Sequence, residues 1–135
     1  MNMEDCIFCK IIKGEIPNHT VYEDERALAF LDIYPHAKGH TVVIPKKHVE
    51  TYFDLDDEQV KNFSLGVRNT MKKVQEVLQS DGFNVGWNQN EVAGQVVPHL
   101  HMHIIPRYKG DGGGSIHSII KNPGDLSVED VFKLF

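Results

Sequence analysis

The sequence predicts an α+β fold, with a sheet of about five antiparallel strands and one long helix. Short runs rich in β-branched residues recur between turn signals, as in a hairpin-built sheet. Between about residues 56 and 80, apolar side chains recur at spacings of three and four, which is typical of a helix packed on one face. From His99 to Ile105, histidine alternates with apolar residues at the period of a strand.

The composition is that of one ordinary globular domain. The chain has 135 residues, 41% of them hydrophobic, and no internal repeat or composition shift marks a second domain, so residues 1–135 are expected to fold as one. The formal net charge is −5 without a long basic run, which argues against nucleic-acid binding. No stretch approaches the roughly 20 apolar residues of a membrane span, and residues 1–10 lack an apolar signal region, so we expect no membrane association and a cytoplasmic location.

The first elements are a short helix and three strands. Residues Ile7–Ile12 present apolar bulk and precede a glycine turn, which predicts a short N-terminal helix. Two strands, Thr20–Tyr22 and Ala27–Leu31, flank a charged turn. A third strand, His40–Ile44, is rich in β-branched residues and ends before Pro45.

The long helix is followed by two more strands and a tail. Acidic residues crowd the start of the helix and an Asp-Gly pair ends it. Strands are expected at Phe83–Trp87 and His99–Ile105, separated by a loop over Asn88–Gln95. In the tail, Gly110–Gly114 is flexible by composition and Ser127–Phe135 is expected to form a short capped helix.

Three histidines, His99, His101 and His103, alternate with apolar residues. On a strand this alternation places all three imidazoles on one face and the apolar residues on the other. A single His-x-His pair is also typical of solvated strand residues or of metal ligands alone. Three in register, before the apolar run Ile104-Ile105-Pro106, favour a functional face.

The run over residues 99–105 resembles the signature of the histidine triad (HIT) family, which reads His, apolar, His, apolar, His, apolar, apolar. The segments Cys6–Pro17, Ala29–His48 and Asn88–Arg107 are similar to family segments and occur in the family's order. This resemblance implies the family fold up to residue 109, a variable tail over residues 110–135, and a homodimer whose two sheets join edge to edge.

The resemblance also implies the catalytic residues His101, His103, His99 and His40. His101 is expected to be a nucleophile that forms a nucleotidyl-histidine intermediate, since a neutral imidazole attacks phosphorus and leaves again near neutral pH. The main-chain carbonyl of His99 would hold the tautomer of His101. His103 and His40 would share protons and donate hydrogen bonds to the phosphate.

A purine nucleotide is the expected ligand. The resemblance places Asp32 on the ribose hydroxyls and the phosphate on the amides of Asn88 and Gln95 and on N–H groups freed by Gly94. The base would lie in an apolar slot formed by Phe8, Ile11, Phe30 and Ile33, and adenosine is favoured over guanosine. Many phosphoramidase-type relatives carry a serine, whose hydroxyl assists the leaving group, where this chain has Val96. The resemblance therefore does not define which leaving group this chain prefers.

The pair Cys6-x-x-Cys9 is compatible with a redox pair, with two buried small residues or with half of a zinc site. The βαβ context of a thioredoxin-like motif is absent, so zinc is favoured. Relatives with this pair complete a structural Zn²⁺ site, and the resemblance implies that the ligands here are Cys6, Cys9, His48 and His99.

Three functions follow as hypotheses. The first is a hydrolase or transferase that cleaves a nucleoside monophosphate, AMP above all, from an amine or a phosphate, with dinucleoside polyphosphate hydrolysis as its other branch. The second is a nucleotide-binding regulatory module without catalysis. The third is a zinc-dependent interaction protein, for which loss of metal would matter and loss of His101 would not.

Overall fold

The computed structural model describes residues 3–135, which form one five-stranded antiparallel sheet in the order β1-β2-β3-β5-β4. This confirms the predicted α+β fold. The strands are β1 Thr20–Glu23, β2 Ala27–Leu31, β3 Thr41–Pro45, β4 Gly82–Gly86 and β5 Met102–Arg107. The helices are α1 Ile7–Ile12, α2 Asp57–Leu78 and α3 Val128–Phe132.

The strand order follows from local turns and one long crossover. Asp24 closes the β1–β2 hairpin, because its Oδ1 accepts the N–H groups of Arg26 at 2.7 Å and Ala27 at 2.8 Å. β5 then pairs with β3 and with β4, opposing His103 to Val42 and Ile104 to Val85. The two ends of the sheet are therefore β1 and β4.

Helix α2 covers one face of the sheet. Asp56 and Gln59 form a capping box at its start, and Gln79 ends it in the left-handed conformation. Phe63 and Val67 of the helix belong to the main core cluster, into which the strands send alternate residues such as Val43 and Ile104. No helix of residues 3–135 is long and apolar enough to cross a membrane.

Helix α1 lies over the opposite face of the sheet. It contributes Ile11 to a second core cluster with Phe30, Val42 and Ile44 of the strands, and Phe8 packs against this cluster. Since Val42 is paired with His103, the α1 face is also the face that carries His103. α1 thus brings the two cysteines to the histidine-bearing side.

The expected start of the last strand is wrong. β5 begins at Met102, and residues 99–101 run before it without ladder pairing. The cause is a tight turn centred on Pro98, in which the His99 N–H donates to the Val97 carbonyl at 2.8 Å. Strand alternation therefore does not extend back to His99.

The tail leaves the sheet at Arg107 and stays exposed from residue 110 onward. The Arg107 guanidinium donates to Asn84 at 2.7 Å, to both carboxylate oxygens of Asp111 at 2.8 Å, and to the Gly114 carbonyl. Ser127 caps the short helix α3, which is shorter than the predicted Ser127–Phe135. Several large apolar side chains of the tail therefore face solvent in the single chain.

Candidate active site and metal cluster

The structure brings together the side chains of His101, His103 and His40 but not the imidazole of His99. The ring centroids of His101 and His103 are 5.2 Å apart, and those of His103 and His40 are also 5.2 Å apart. The His99 ring lies instead against His48, at 5.0 Å. The expectation of three imidazoles on one strand face fails because β5 starts only after His101.

His101 has a defined tautomer. Its Nδ1 lies 2.7 Å from the main-chain carbonyl of His99, which can only accept, so Nδ1 carries the proton. The lone pair is therefore on Nε2. Burial lowers the pKa of His101 below its usual 6.5, an effect that the His99 carbonyl and Asp32 oppose. The imidazole is neutral at pH 7 and its Nε2 is free to attack.

His40 and His103 form a directed pair of imidazoles. The backbone N–H of His36 donates to His40 Nδ1 at 3.1 Å, so the proton of His40 is on Nε2. This Nε2–H donates to His103 Nδ1 at 3.0 Å and leaves the proton of His103 on its own Nε2. His103 is thereby presented as a hydrogen-bond donor rather than as a base.

Burial keeps this pair uncharged. It lowers the pKa of His103 to about 4, with His101 and His40 as further causes, and it also lowers the pKa of His40. The carboxylate of Asp32 lies 3.7 Å from His40 Nε2, but a neutral imidazole makes this contact a dipolar one and not an ion pair. Its other oxygen accepts the Tyr34 N–H at 2.8 Å, in a turn.

His36 was not expected near the site from its sequence context. It lies in the loop between β2 and β3, where the Asp32 turn and Gly39, at φ +85°, fold the chain back toward the start of β3. Its ring also contacts that of His40 at 5.6 Å. A turn-forming Asp followed by Pro35 and Gly39 is the sequence signal that could have indicated such a returning loop.

In the loop Asn88–Gln95, which was expected to bind phosphate, the Gln95 amide makes hydrogen bonds to neighbouring backbone groups. The Gln95 amide donates to the carbonyls of Glu50 at 2.8 Å and Val97 at 3.2 Å, and it accepts the Asn90 N–H at 2.8 Å. The Gln95 amide nitrogen is thus held by carbonyls on either side of the loop, and its amide oxygen is bonded within the loop. Asn88 is exposed and packs near Gly94, whose φ of +103° favours glycine.

The four residues of the expected apolar slot differ in exposure. Ile11 and Phe30 are buried in the second core cluster and offer little surface to a ligand. Phe8 is half-buried, with its ring 5.1 Å from that of His101. Ile33 is 73% exposed and follows Asp32 directly. Phe8 and Ile33 are therefore the two members with apolar surface to offer.

A cavity of about 830 Å³ opens beside His40 and His103. Its other walls include Trp87, Ile105 and Ile116 of the tail. The Trp87 ring stacks on Tyr52 at 4.8 Å, which fixes this wall to the loop before α2. The imidazole pair thus lies at the edge of a space large enough for a small molecule.

The second cluster consists of Cys6, Cys9, His48 and His99, whose donor atoms all lie within 4.8 Å of one another. His99 Nδ1 is 3.4 Å from Cys6 Sγ and 3.6 Å from Cys9 Sγ, and His48 Nδ1 is 3.2 Å from Cys9 Sγ. His99 Nε2 donates to the Pro45 carbonyl at 2.9 Å, so Nδ1 presents a lone pair to the sulfurs.

This donor set fits a zinc-class cation. Two sulfurs and two imidazoles are a common tetrahedral set, with no position left for substrate. Burial, together with neighbouring Cys6, raises the pKa of the Cys9 thiol to about 11 when no cation balances a thiolate. A divalent cation supplies that balance, whereas the nearby Lys13 cation lowers the pKa of Cys9 by less than burial and Cys6 raise it.

Comparison with known proteins places these clusters in a family. The family model described as HIT domain matches residues 13–110. An uncharacterized HIT-like protein of Methanocaldococcus jannaschii is 50% identical over 128 residues, which are 95% of this chain and 96% of that protein. A protein of Schizosaccharomyces pombe named adenosine 5'-monophosphoramidase is 43% identical over 102 residues, 76% of this chain and 74% of its own length.

Solved structures show the same fold. The crystal structure of a HIT-family member from Bacillus subtilis is 46% identical, with a TM-score of 0.83 over 96% of this chain and 92% of that one. A zinc-bound histidine triad family protein from Mycobacterium smegmatis is 38% identical, with a TM-score of 0.76 over 82% of this chain and 81% of that one. The chain belongs to the HIT domain family.

Proposed function

We propose that this protein is a nucleotide hydrolase that cleaves a nucleoside monophosphate from its leaving group through a covalent intermediate on His101. The observation that carries the proposal is the 2.7 Å bond from His101 Nδ1 to the His99 carbonyl. It directs the unprotonated Nε2 away from the backbone, as a nucleophile requires. The match to relatives named adenosine 5'-monophosphoramidase supports the reaction class.

In the first step His101 Nε2 attacks the phosphorus. A P–N bond forms, the bond to the leaving group breaks, and the leaving group departs with the electron pair and takes up a proton from solvent water. His103 donates its Nε2–H to a nonbridging oxygen, where charge builds up. The 3.0 Å bond from His40 keeps that proton in place.

In the second step water replaces the imidazole. Water attacks the phosphorus, the P–N bond breaks, and Nε2 regains its lone pair while the water loses a proton to solvent. The His99 carbonyl holds the ring orientation in both steps, so the nucleophile is restored for another cycle.

Asp32 is proposed to bind the ribose of the nucleoside, and the apolar side chains of Phe8 and Ile33 are proposed to bind the base. The carboxylate oxygen of Asp32 that takes no part in the turn is available to the ribose hydroxyls. Phe8 and Ile33 offer apolar surface to a base, and such surface selects purine bulk. AMP is the proposed nucleotide because the yeast relatives are named for adenosine.

The leaving group defines a second candidate activity. Val96, 88% exposed, offers no hydroxyl, so an amine that carries its own proton is the simplest leaving group. Lys38, whose ammonium lies 4.9 Å above the Tyr108 ring, borders the cavity beside His40. The Lys38 ammonium would attract the negative charge of a polyphosphate chain, so hydrolysis of a dinucleoside polyphosphate is the second candidate activity.

We also propose that Cys6, Cys9, His48 and His99 hold a structural zinc ion. All four positions would be filled by protein, so the ion would stabilise the fold around α1 and would not contact the substrate. The zinc-bound relative from Mycobacterium smegmatis supports this assignment.

The test compares turnover of adenosine 5'-phosphoramidate and of diadenosine polyphosphates by wild type, His101→Ala and His19→Ala. His19 is an exposed histidine outside the site and serves as the matched control. We expect AMP release by wild type and His19→Ala, and loss of at least about 10³-fold in His101→Ala. AMP binding by a wild type that cleaves neither compound would contradict the proposal and favour a binding module.

A further inference from the structure

His99 belongs to two sets of contacts at once. Its imidazole, 0% exposed, is one of the four donors of the metal cluster. Its main-chain carbonyl accepts the Nδ1 proton of His101. Because His99 precedes β5, no ladder bond of the sheet fixes the peptide that carries this carbonyl.

Two other bonds fix the plane of the His99–Leu100 peptide. Its carbonyl accepts from His101 Nδ1 at 2.7 Å, and its N–H donates to the Val49 carbonyl at 2.7 Å. Val49 directly follows His48, the second histidine of the cluster. The peptide that orients the nucleophile is therefore bonded to two segments of the chain. One contains His48 and Val49, and the other contains His99 and His101.

The cluster adds a further link between those two segments, beside the bonds from Leu100 to Val49 and from His99 Nε2 to the Pro45 carbonyl. Cys9 Sγ lies 3.2 Å from His48 Nδ1 and 3.6 Å from His99 Nδ1, so it touches both rings. Cys6 Sγ approaches His99 from the start of α1 at 3.4 Å. Four donors that share one ion cannot separate, whereas the neutral thiols and imidazoles alone form only weak hydrogen bonds.

We infer that the Cys6–Cys9–His48–His99 cluster, with a zinc-class divalent cation bound, is a positioning element that orients the nucleophile His101 through the His99–Leu100 peptide. The inference rests on the proposed function of His101. Cys6, Cys9 and His48 touch no substrate and act through His99. A purely structural cluster would set stability alone and leave the geometry of His101 unchanged.

The first experiment compares His48→Ala with His48→Cys, which restores a donor in a Cys3His set. We measure bound zinc, the single-turnover rate of AMP transfer to the protein, and the NMR resonance of the His101 Nδ1 proton. His48→Ala is expected to slow transfer about tenfold or more and to shift or broaden that resonance. His48→Cys is expected to recover most of both, and His19→Ala is the control.

A folded His48→Ala protein that lacks zinc, yet keeps the wild-type rate and the wild-type resonance, would overturn the inference. The second experiment applies if that variant does not fold. Wild-type protein is reconstituted with Co²⁺, and its visible spectrum is recorded before and after AMP binding. A shift of the ligand-field bands is expected because His99 links the two sites, and no shift would overturn the inference.

The experiments distinguish a failure of the proposed function from a failure of this inference. If His101→Ala keeps full activity, His101 is not the nucleophile, but the response of its Nδ1 resonance to metal can still be measured. If His101→Ala is inactive and zinc removal changes neither transfer rate nor resonance, the proposed function stands and the positioning role is lost.

Discussion

At the scale of single residues, the site depends on where three imidazole protons lie. Two of these positions are set by backbone groups: the His99 carbonyl for His101, and the His36 N–H for His40. His103 takes its tautomer from His40. One imidazole is thus left with a free lone pair and another with a free proton, and neither needs a charge.

The pH dependence of activity follows from these neutral rings. Burial lowers the pKa of His101 below 6.5 and that of His103 to about 4, so both stay neutral as the pH falls from 8 to 6.5. Protonation of His101 below that range removes the lone pair. We expect kcat/KM to be level from pH 8 to 6.5 and to fall at lower pH, whereas a decline that is half complete above pH 6.5 would contradict the burial argument.

Replacement of the donor pair separates a direct role from an indirect one. His103→Ala removes the proton offered to the phosphate and is expected to lower kcat by about 10²-fold, the usual effect of losing one such donor. His40→Asn removes the bond that holds the His103 proton in place and is expected to cost less. Steady-state kinetics of both variants check this order, and a larger loss for His40→Asn would reverse the assignment.

At the scale of elements, the loop between β2 and β3 controls the position of His40. Gly39 has a φ of +85°, and an added Cβ would meet Leu78 of α2. Gly39→Ala is therefore expected to destabilise the fold by about 1 kcal/mol or more, with loss of activity from a displaced His40. Thermal unfolding measures the first effect and turnover the second. Gly110→Ala, at φ +76° in open space, is the control for backbone strain alone.

Elements with one apolar and one polar face can be predicted from the spacing of apolar residues in the sequence. β5 alternates buried and half-buried residues, and α2 shows its spacing of apolar residues, whereas β3 is buried at every position and is predicted from its β-branched residues. The turn that ends before β5 could not be predicted in this way. It rests on one local bond, from the His99 N–H to the Val97 carbonyl, and the His99 ring is then held by Pro45, Cys6 and Cys9, which are remote in the chain.

The candidate site also combines features that the sequence pattern predicts with features that depend on contacts between loops. The His-apolar alternation correctly placed His101 beside His103, since the two flank Met102 at the start of β5. The bracing of Gln95 by Glu50 and the approach of the His36 N–H to His40 involve side-chain to backbone bonds across loops. Such bonds have no periodic signal in the sequence.

At the scale of the whole molecule, the single chain leaves apolar surface uncovered. The tail exposes Ile119 at 76%, Phe132 at 75% and Phe135 at 100%, and β4 is an edge strand. A homodimer joined at that edge would cover part of this surface. We expect sedimentation equilibrium to give twice the 15.3 kDa of one chain. A monomer at micromolar concentration would contradict the edge-to-edge dimer.

The central claim is a covalent bond to one atom of one residue. The direct measurement mixes the protein with adenosine 5'-phosphoramidate, stops the reaction within milliseconds at alkaline pH to preserve an acid-labile P–N bond, and maps the peptides by mass spectrometry. The account predicts one adenylyl group on His101, formed before AMP is released and absent in His101→Ala. AMP release without any adduct, or an adduct on His103 instead, would contradict it.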